Sequence, residues 1–149
     1  MSSAFQIREA RSGDIEQLCM FAREFITKLD SQSNLEDVRR LFERVLGSEN
    51  LGAVVVAERG AELCGYAYGA YLWRTEFGET MELVTLFTAE SWRKKGVGRN
   101  LLSALMEIAK HRNIRRISAE VRPENFAIER TLESSGFDPE RRTLWGMRL

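Results

Sequence analysis

The basic segment at residues 91–116 is where this sequence could handle an anion. It holds 8 Lys/Arg against a single acid, Glu107. Within it, Arg93, Lys94, Lys95, Gly96, Val97, Gly98 and Arg99 form a glycine-bearing loop that leads from a predicted strand into a predicted helix. The first N–H groups of a helix have no internal partner, and the helix dipole adds partial positive charge there. Glycine lets the backbone approach an anion closely, so a phosphate fits at this point. A dinucleotide fingerprint is excluded, because no third glycine follows Gly98. A P-loop is excluded too, because neither Gly96 nor Gly98 is followed by Lys-Ser or Lys-Thr. A nucleic-acid patch would interleave aromatics for stacking, and Trp92 stands alone. The plain alternative for such a charge run is a solvated helix face.

Proton-transfer chemistry has few sources. His111 is the only histidine, so a His-rich metal site is excluded and no metal is expected. Cys19 and Cys64 have no close-spaced partner, which excludes a disulfide framework and a zinc-type pair. Acid and base must then come mainly from carboxylates, tyrosines, backbone groups or water.

The whole chain carries 22 Lys+Arg and 22 Asp+Glu, for zero net charge. That balance excludes a generally basic nucleic-acid binder and a self-repelling disordered chain. The charge is unevenly spread: residues 1–90 carry −6, residues 91–116 carry +7 and residues 117–149 carry −1. The first residues are polar and unlike a signal peptide, and the longest apolar run is residues 53–57. No membrane contact and a cytoplasmic location are expected.

Secondary structure must position the loop. Residues 5–10 alternate as a first strand, and Ser12-Gly13-Asp14 offers a turn with Ser12 or Asp14 as a helix cap. Helical spacing follows from Ile15 to Ile26, then a polar linker at 30–34. A second helix is predicted over 35–46, closed by Gly47. Strands are predicted at 53–58, 63–73 and 80–88, a helix at 97–112, a strand at 114–122, a helix at 125–134 ended by Gly136, and a last strand at 143–149. Consecutive strands imply antiparallel pairing, and each strand–helix–strand passage implies a parallel crossover. A mixed α/β sheet in one domain over 1–149 follows.

Arg93-Lys94-Lys95-Gly96-Val97-Gly98 resembles the Arg-x-x-Gly-x-Gly loop of the GNAT N-acetyltransferase superfamily, which binds the pyrophosphate of acetyl-CoA. The preceding Leu86-Phe87-Thr88 and the following Asn100-Leu101-Leu102 fit the same setting. Downstream, residues 120–125 and 132–137 resemble the family's second region, a strand, an Asn and a helix ending in Gly-Phe. The resemblance implies a mostly antiparallel mixed sheet with a central parallel pair splayed for the cofactor, flanked by about four helices. It implies that backbone groups of Leu86 and Thr88 pair with the pantetheine arm. Backbone N–H groups from Lys94 through Lys95, Gly96, Val97 and Gly98 to Arg99 would hold the pyrophosphate, with Arg93, Lys94 and Arg99 adding charge. Asn125 would contact the pantetheine and Arg130 the phosphates.

The implied reaction is acetyl transfer from acetyl-CoA to a primary amine in a ternary complex, without a covalent enzyme intermediate. The resemblance offers Glu82 and Glu120 as bases. Alternation along 82–88 is expected to put Glu82 on one face with Val84, Leu86 and Thr88. One departure concerns the leaving thiolate: relatives carry a proton-donating tyrosine where this chain has Leu132. Ser134, a water, or Tyr66, Tyr68 or Tyr71 are the substitutes. The acceptor wall would contain Glu24, Asp30, Trp73, Glu76, Phe77 and Glu79, which suits a cationic amine. Val84 and Thr85 replace the paired acids of polyamine acetyltransferases, so a small amine, an amino-acid derivative or a peptide N-terminus remains. The alternatives are a non-catalytic acyl-CoA-binding module and, further off, a nucleic-acid-binding domain. Dimers are common in the family, so a homodimer stays open.

Overall fold

The computed structural model describes residues 4–29 and 34–149. Five strands lie in the order β1 (Gln6–Glu9), β2 (Gly52–Arg59), β3 (Glu62–Arg74), β4 (Gly78–Thr88) and β5 (Ile117–Ala119). The first three pairings are antiparallel, and β4 with β5 is parallel. The parallel pair requires a crossover, which α3 (Val97–His111) supplies. Helices α1 (Ile15–Leu29) and α2 (Leu35–Leu46) cover one face of the sheet, whereas α3 and α4 (Phe126–Ser134) cover the other.

The helices begin and end where side chains and glycines permit. The Asn34 side-chain oxygen accepts from the Glu36 N–H at 2.7 Å and the Asp37 N–H at 3.1 Å, starting α2. Gly136, at φ 96°, ends α4 in the left-handed conformation that a side chain disfavours. Val97, Leu101, Leu102 and Leu105 on α3 are completely buried against Val55, Ala57, Ala67, Met81 and Leu83 of the sheet. Burial of such side chains contributes about 2 kcal/mol each. Across the sheet, Leu18 and Phe42 meet Val54, Val56 and Tyr66. Both cysteines are buried and free, as small apolar residues.

Three expectations change. Residues 143–149 form no strand, because they pair with no strand of their own chain. The parallel pair consequently lies at an edge of the sheet. Residues 114–122 reduce to the three paired residues of β5, since Met81 to Leu83 is the only stretch of β4 that meets it. Asp14 caps backward rather than forward: its carboxylate accepts from the Arg11 N–H at 2.7 Å and from both Arg8 guanidinium nitrogens at 2.8 and 2.9 Å. Among the described residues no helix is long and apolar enough to cross a membrane.

Candidate active site

The site is built where β4 outruns its neighbour. Pairing with β5 stops at Leu83, while β4 continues to Thr88, so the outer edge of Val84 to Thr88 faces a gap. The strand then enters the basic loop through a short turn at Glu90–Trp92. Two residues of that loop are left-handed, Lys94 at φ 63° and Gly96 at φ 84°. Gly96 is the cap residue of α3, and no side chain caps the helix. The first-turn N–H groups therefore point out of an uncapped helix start, with exposed Arg93, Lys94, Lys95 and Arg99 around them. A Cβ on Gly98 would lie 3.7 Å from Thr88 Oγ1 and 3.9 Å from Leu86, which sets the end of β4 directly against the helix start. Opposite, Gly65 permits the close approach of β3: a Cβ there would fall 2.4 Å from the Phe87 carbonyl oxygen.

The basic side chains divide their work. Arg93 Nε donates to the Thr88 carbonyl at 3.3 Å, so it fastens the loop to the strand and occupies an acceptor expected for the pantetheine. Lys95 Nζ lies 5.1 Å from the Trp92 ring centre, and Trp92 in turn packs edge-on against Phe5. An extended edge running into an uncapped helix N-terminus can hold a flexible arm that ends in a diphosphate.

The Acetyltransferase (GNAT) family model matches residues 15–137. The chain belongs to that family. A search of curated proteins finds no match. Solved structures share the fold. The aminoglycoside N-acetyltransferase AAC(6')-Iy in complex with CoA has a TM-score of 0.87 at 16% identity, covering 99% of this chain and 97% of its own. A predicted acetyltransferase with acetyl-CoA from Clostridium acetobutylicum gives 0.82 at 20% identity, with 96% of each chain covered. The integron cassette protein HFX_CASS3 from the Cole Harbour Salt Marsh mobile metagenome gives 0.85 at 23%, covering 97% and 90%.

Within this GNAT domain Glu82 sits on the face opposite to the expected one. Between β3 and β4 the register passes from Gly69↔Leu83 to Tyr68↔Thr85, leaving Val84 as an extra, unpaired residue. Such a bulge reverses the alternation. Met81, Leu83 and Leu86 face α3, while Thr85 and Phe87 face α1 and α2. Glu82 thus shares its face with Thr85 and Phe87, not with Leu86 and Thr88. It is half-buried and paired with Ala70 and Ser118 on the neighbouring strands. Burial raises the Tyr68 hydroxyl, and the Glu82 carboxylate raises it further.

A small apolar pocket of about 150 Å³ opens beside this pair, lined by Phe25, Ile26, Leu41, Tyr68, Val84 and Thr85 among others. The three tyrosines part company here. Tyr66 is buried, with burial pushing its hydroxyl up to about 12. Tyr71 lies under the Arg112 guanidinium at 4.1 Å on the opposite face. Tyr66 and Tyr68 both line the pocket, and of these two only Tyr68 is half-exposed. Glu120 is exposed just beyond β5. The Asn125 oxygen accepts from the Ile128 N–H at 3.3 Å, so it caps α4, and Arg130 is exposed on that helix. Leu132 is buried in the core under α3, and the Ser134 hydroxyl donates to the Thr131 carbonyl at 3.0 Å.

The described members of the expected acidic wall lie among other neighbours or in solvent. Glu79 forms an ion pair with Arg112, which also donates to the Glu49 carbonyl at 2.9 Å and to Asn50 at 3.1 Å. Phe77 lies under Arg116, 4.6 Å from its guanidinium, and Trp73 and Glu76 are exposed at the end of the β3–β4 hairpin. Glu24 is exposed on α1, and Asp30 falls outside the described residues. The bulge at Val84 was the feature missed, and its signal was available: Gly69, inside a long strand, faces the register shift, and a Cβ there would meet Met81 at 2.6 Å. Among the described residues no cluster of His, Cys, Asp or Glu could hold a metal ion.

Proposed function

We propose that this GNAT domain transfers an acetyl group from acetyl-CoA to a primary amine within a ternary complex. The observation that carries this reading is the open edge of β4 running into the uncapped start of α3. Backbone groups of Leu86 and Thr88 border that edge, and the N–H groups from Lys94 to Arg99 surround the helix start. Such a cradle suits an extended thiol arm with a pyrophosphate at its end. Asn125, at the start of α4, and Arg130, exposed on it, are the further contacts for the arm and its phosphates.

The amine nitrogen attacks the thioester carbonyl carbon, the C–S bond breaks, and the sulfur leaves as thiolate. The ammonium proton goes to a base and the thiolate receives a proton. Glu82, half-buried behind Tyr68 and next to the pocket, serves as the base directly or through one water; exposed Glu120 is the second candidate. With Leu132 in the core, Tyr68 is the tyrosine available to supply a proton. The apolar pocket favours an amine carried on an apolar body, and the amine as a neutral base rather than a polycation. Nucleic acid is a poor ligand for the basic segment, because Lys110, Arg112 and Arg116 are each paired with an acid.

The test is thiol release from acetyl-CoA over a panel of amines, with CoA binding measured in parallel. Amine-dependent release that Glu82→Gln slows supports the reading. CoA binding with no release against any amine would return the chain to an acyl-CoA-binding module, and salt-sensitive nucleic-acid binding indifferent to CoA would overturn it.

A further inference from the structure

Tyr68 and Thr85, partners across the β3–β4 pair, form the sheet side of the apolar pocket. Phe25 and Ile26 of α1 and Val38 and Leu41 of α2 wall it from above. Phe25, Leu41 and Val84 line it while remaining 37%, 37% and 50% exposed. Large apolar side chains gathered at one opening mark a surface that an apolar group covers. Among the described residues that line the pocket none is charged, and the polar side chains are Tyr66, Tyr68 and Thr85.

Size and spacing narrow what that group is. The pocket holds about 150 Å³. An apolar cavity of about 150 Å³ takes one benzene ring. Glu82 stands opposite Ala70 and Thr85 opposite Tyr68, so the carboxylate and the pocket are two residues apart along β3, about 7 Å. A ring resting on Tyr68 and Thr85 thus leaves room for a two-carbon chain, an amine and a hydrogen bond of about 3 Å toward Glu82. A second ammonium on the same body would enter the pocket without a counter-charge, which is strongly unfavourable.

Resting on acetyl transfer at this site, we infer that the acceptor is an arylalkyl monoamine, its single ring seated between α1, α2 and Tyr68 and its nitrogen two carbons away. The nitrogen forms the new C–N bond as the thioester C–S bond breaks. One amine proton leaves by way of Glu82 and the thiolate takes one up, giving the arylalkyl acetamide and the free thiol of CoA. Leu41, on the rim, is the residue that sets the specificity: it closes the seat around a ring and offers nothing to a second cation.

The experiment is thiol release from acetyl-CoA with phenethylamine, methylamine, putrescine and spermidine, for the 149-residue chain and for Leu41→Trp and Leu41→Asp. Calorimetric titration of phenethylamine into the CoA-saturated chain runs beside it. Phenethylamine is expected to exceed each of the other three in kcat/KM by on the order of 100-fold, within the range of discrimination by an apolar pocket. Leu41→Trp fills the seat, so the KM and Kd of phenethylamine rise about tenfold. Leu41→Asp sets a carboxylate at the opening and moves the preference toward putrescine. Another of the four amines matching phenethylamine, or a phenethylamine affinity unmoved in both variants, overturns the ring seat and leaves acetyl transfer standing. Thiol release with none of these amines, nor with any of a wider panel, overturns acetyl transfer and this acceptor with it.

Discussion

Glu82 and Tyr68 occupy adjacent strands on the face that α1 and α2 cover, and the bulge at Val84 put Glu82 there. A carboxylate near a half-buried phenol beside an apolar pocket suits the proton transfers proposed for this site. For Glu82→Gln, kcat is expected to fall roughly 100-fold, the usual scale of a lost general base, with CoA affinity unchanged. Steady-state thiol release and calorimetric CoA titration separate those two quantities. A loss confined to KM would move Glu82 from proton transfer to acceptor binding. Tyr68 gives a second test, because burial first and Glu82 next hold its hydroxyl above the ordinary tyrosine value. A raised phenol keeps its proton further into the alkaline range. Tyr68→Phe is therefore expected to lower kcat about tenfold at neutral pH. If Tyr68 is the donor, the alkaline limb of the wild-type profile lies above the ordinary tyrosine range.

The loop between β4 and α3 works as an element, through backbone shape rather than any one side chain. Gly96 at φ 84° turns the chain so that α3 begins with its N–H groups outward. In Gly96→Ala the left-handed conformation costs about 1 kcal/mol and the turn shifts. Because position 96 is exposed, the chain stays folded, while CoA affinity is expected to drop about tenfold in a calorimetric titration. An unchanged Kd would deny the loop its part in binding. This element was legible in the sequence, since glycine spacing, basic charge and a helix start are all local. The start of α2 after the polar linker and the stop at Gly136 were legible for the same reason. The bulge was not read, because alternation assumes one residue against one across a strand pair, and Val84 breaks that count through its partner strand. Residues 143–149 also escaped, since strand propensity states only that a segment can pair, not that a strand lies within its reach.

At the scale of the molecule, zero net charge conceals a set of ion pairs that bind elements together. Arg8 on β1 holds both buried Asp14 and Glu58 on β2, Arg112 ties the end of α3 to Glu79 on β4, and Arg116 ties the start of β5 to Glu140. The basic charge is concentrated in the segment that contains the loop entering α3, but three of that segment's cations are paired with neighbouring acids. The same pairs set an acid limit. The Arg8 guanidinium, by its paired hydrogen bonds, holds the Asp14 carboxyl below its unfolded value, and arginines do the same for Glu16, Glu58 and Glu140. A carboxyl lowered on folding contributes stability that is full above its unfolded pKa, about 4, and is lost as pH falls through the folded value. Thermal stability is expected to be level from pH 7 to about 5 and to fall steeply below about 4. The exposed Glu16 and Glu140 are screened by salt, half-buried Glu58 less so, whereas Asp14, at 6% exposure, is not. Asp14→Asn should accordingly lower stability at pH 7 by about 2 kcal/mol, leaving Arg8 poorly compensated, and make the acid slope shallower. Melting curves of both proteins from pH 3 to 7, in low and in molar salt, check this. An acid slope in the variant as steep as in the parent, persisting in molar salt, would assign acid unfolding to some other carboxylate.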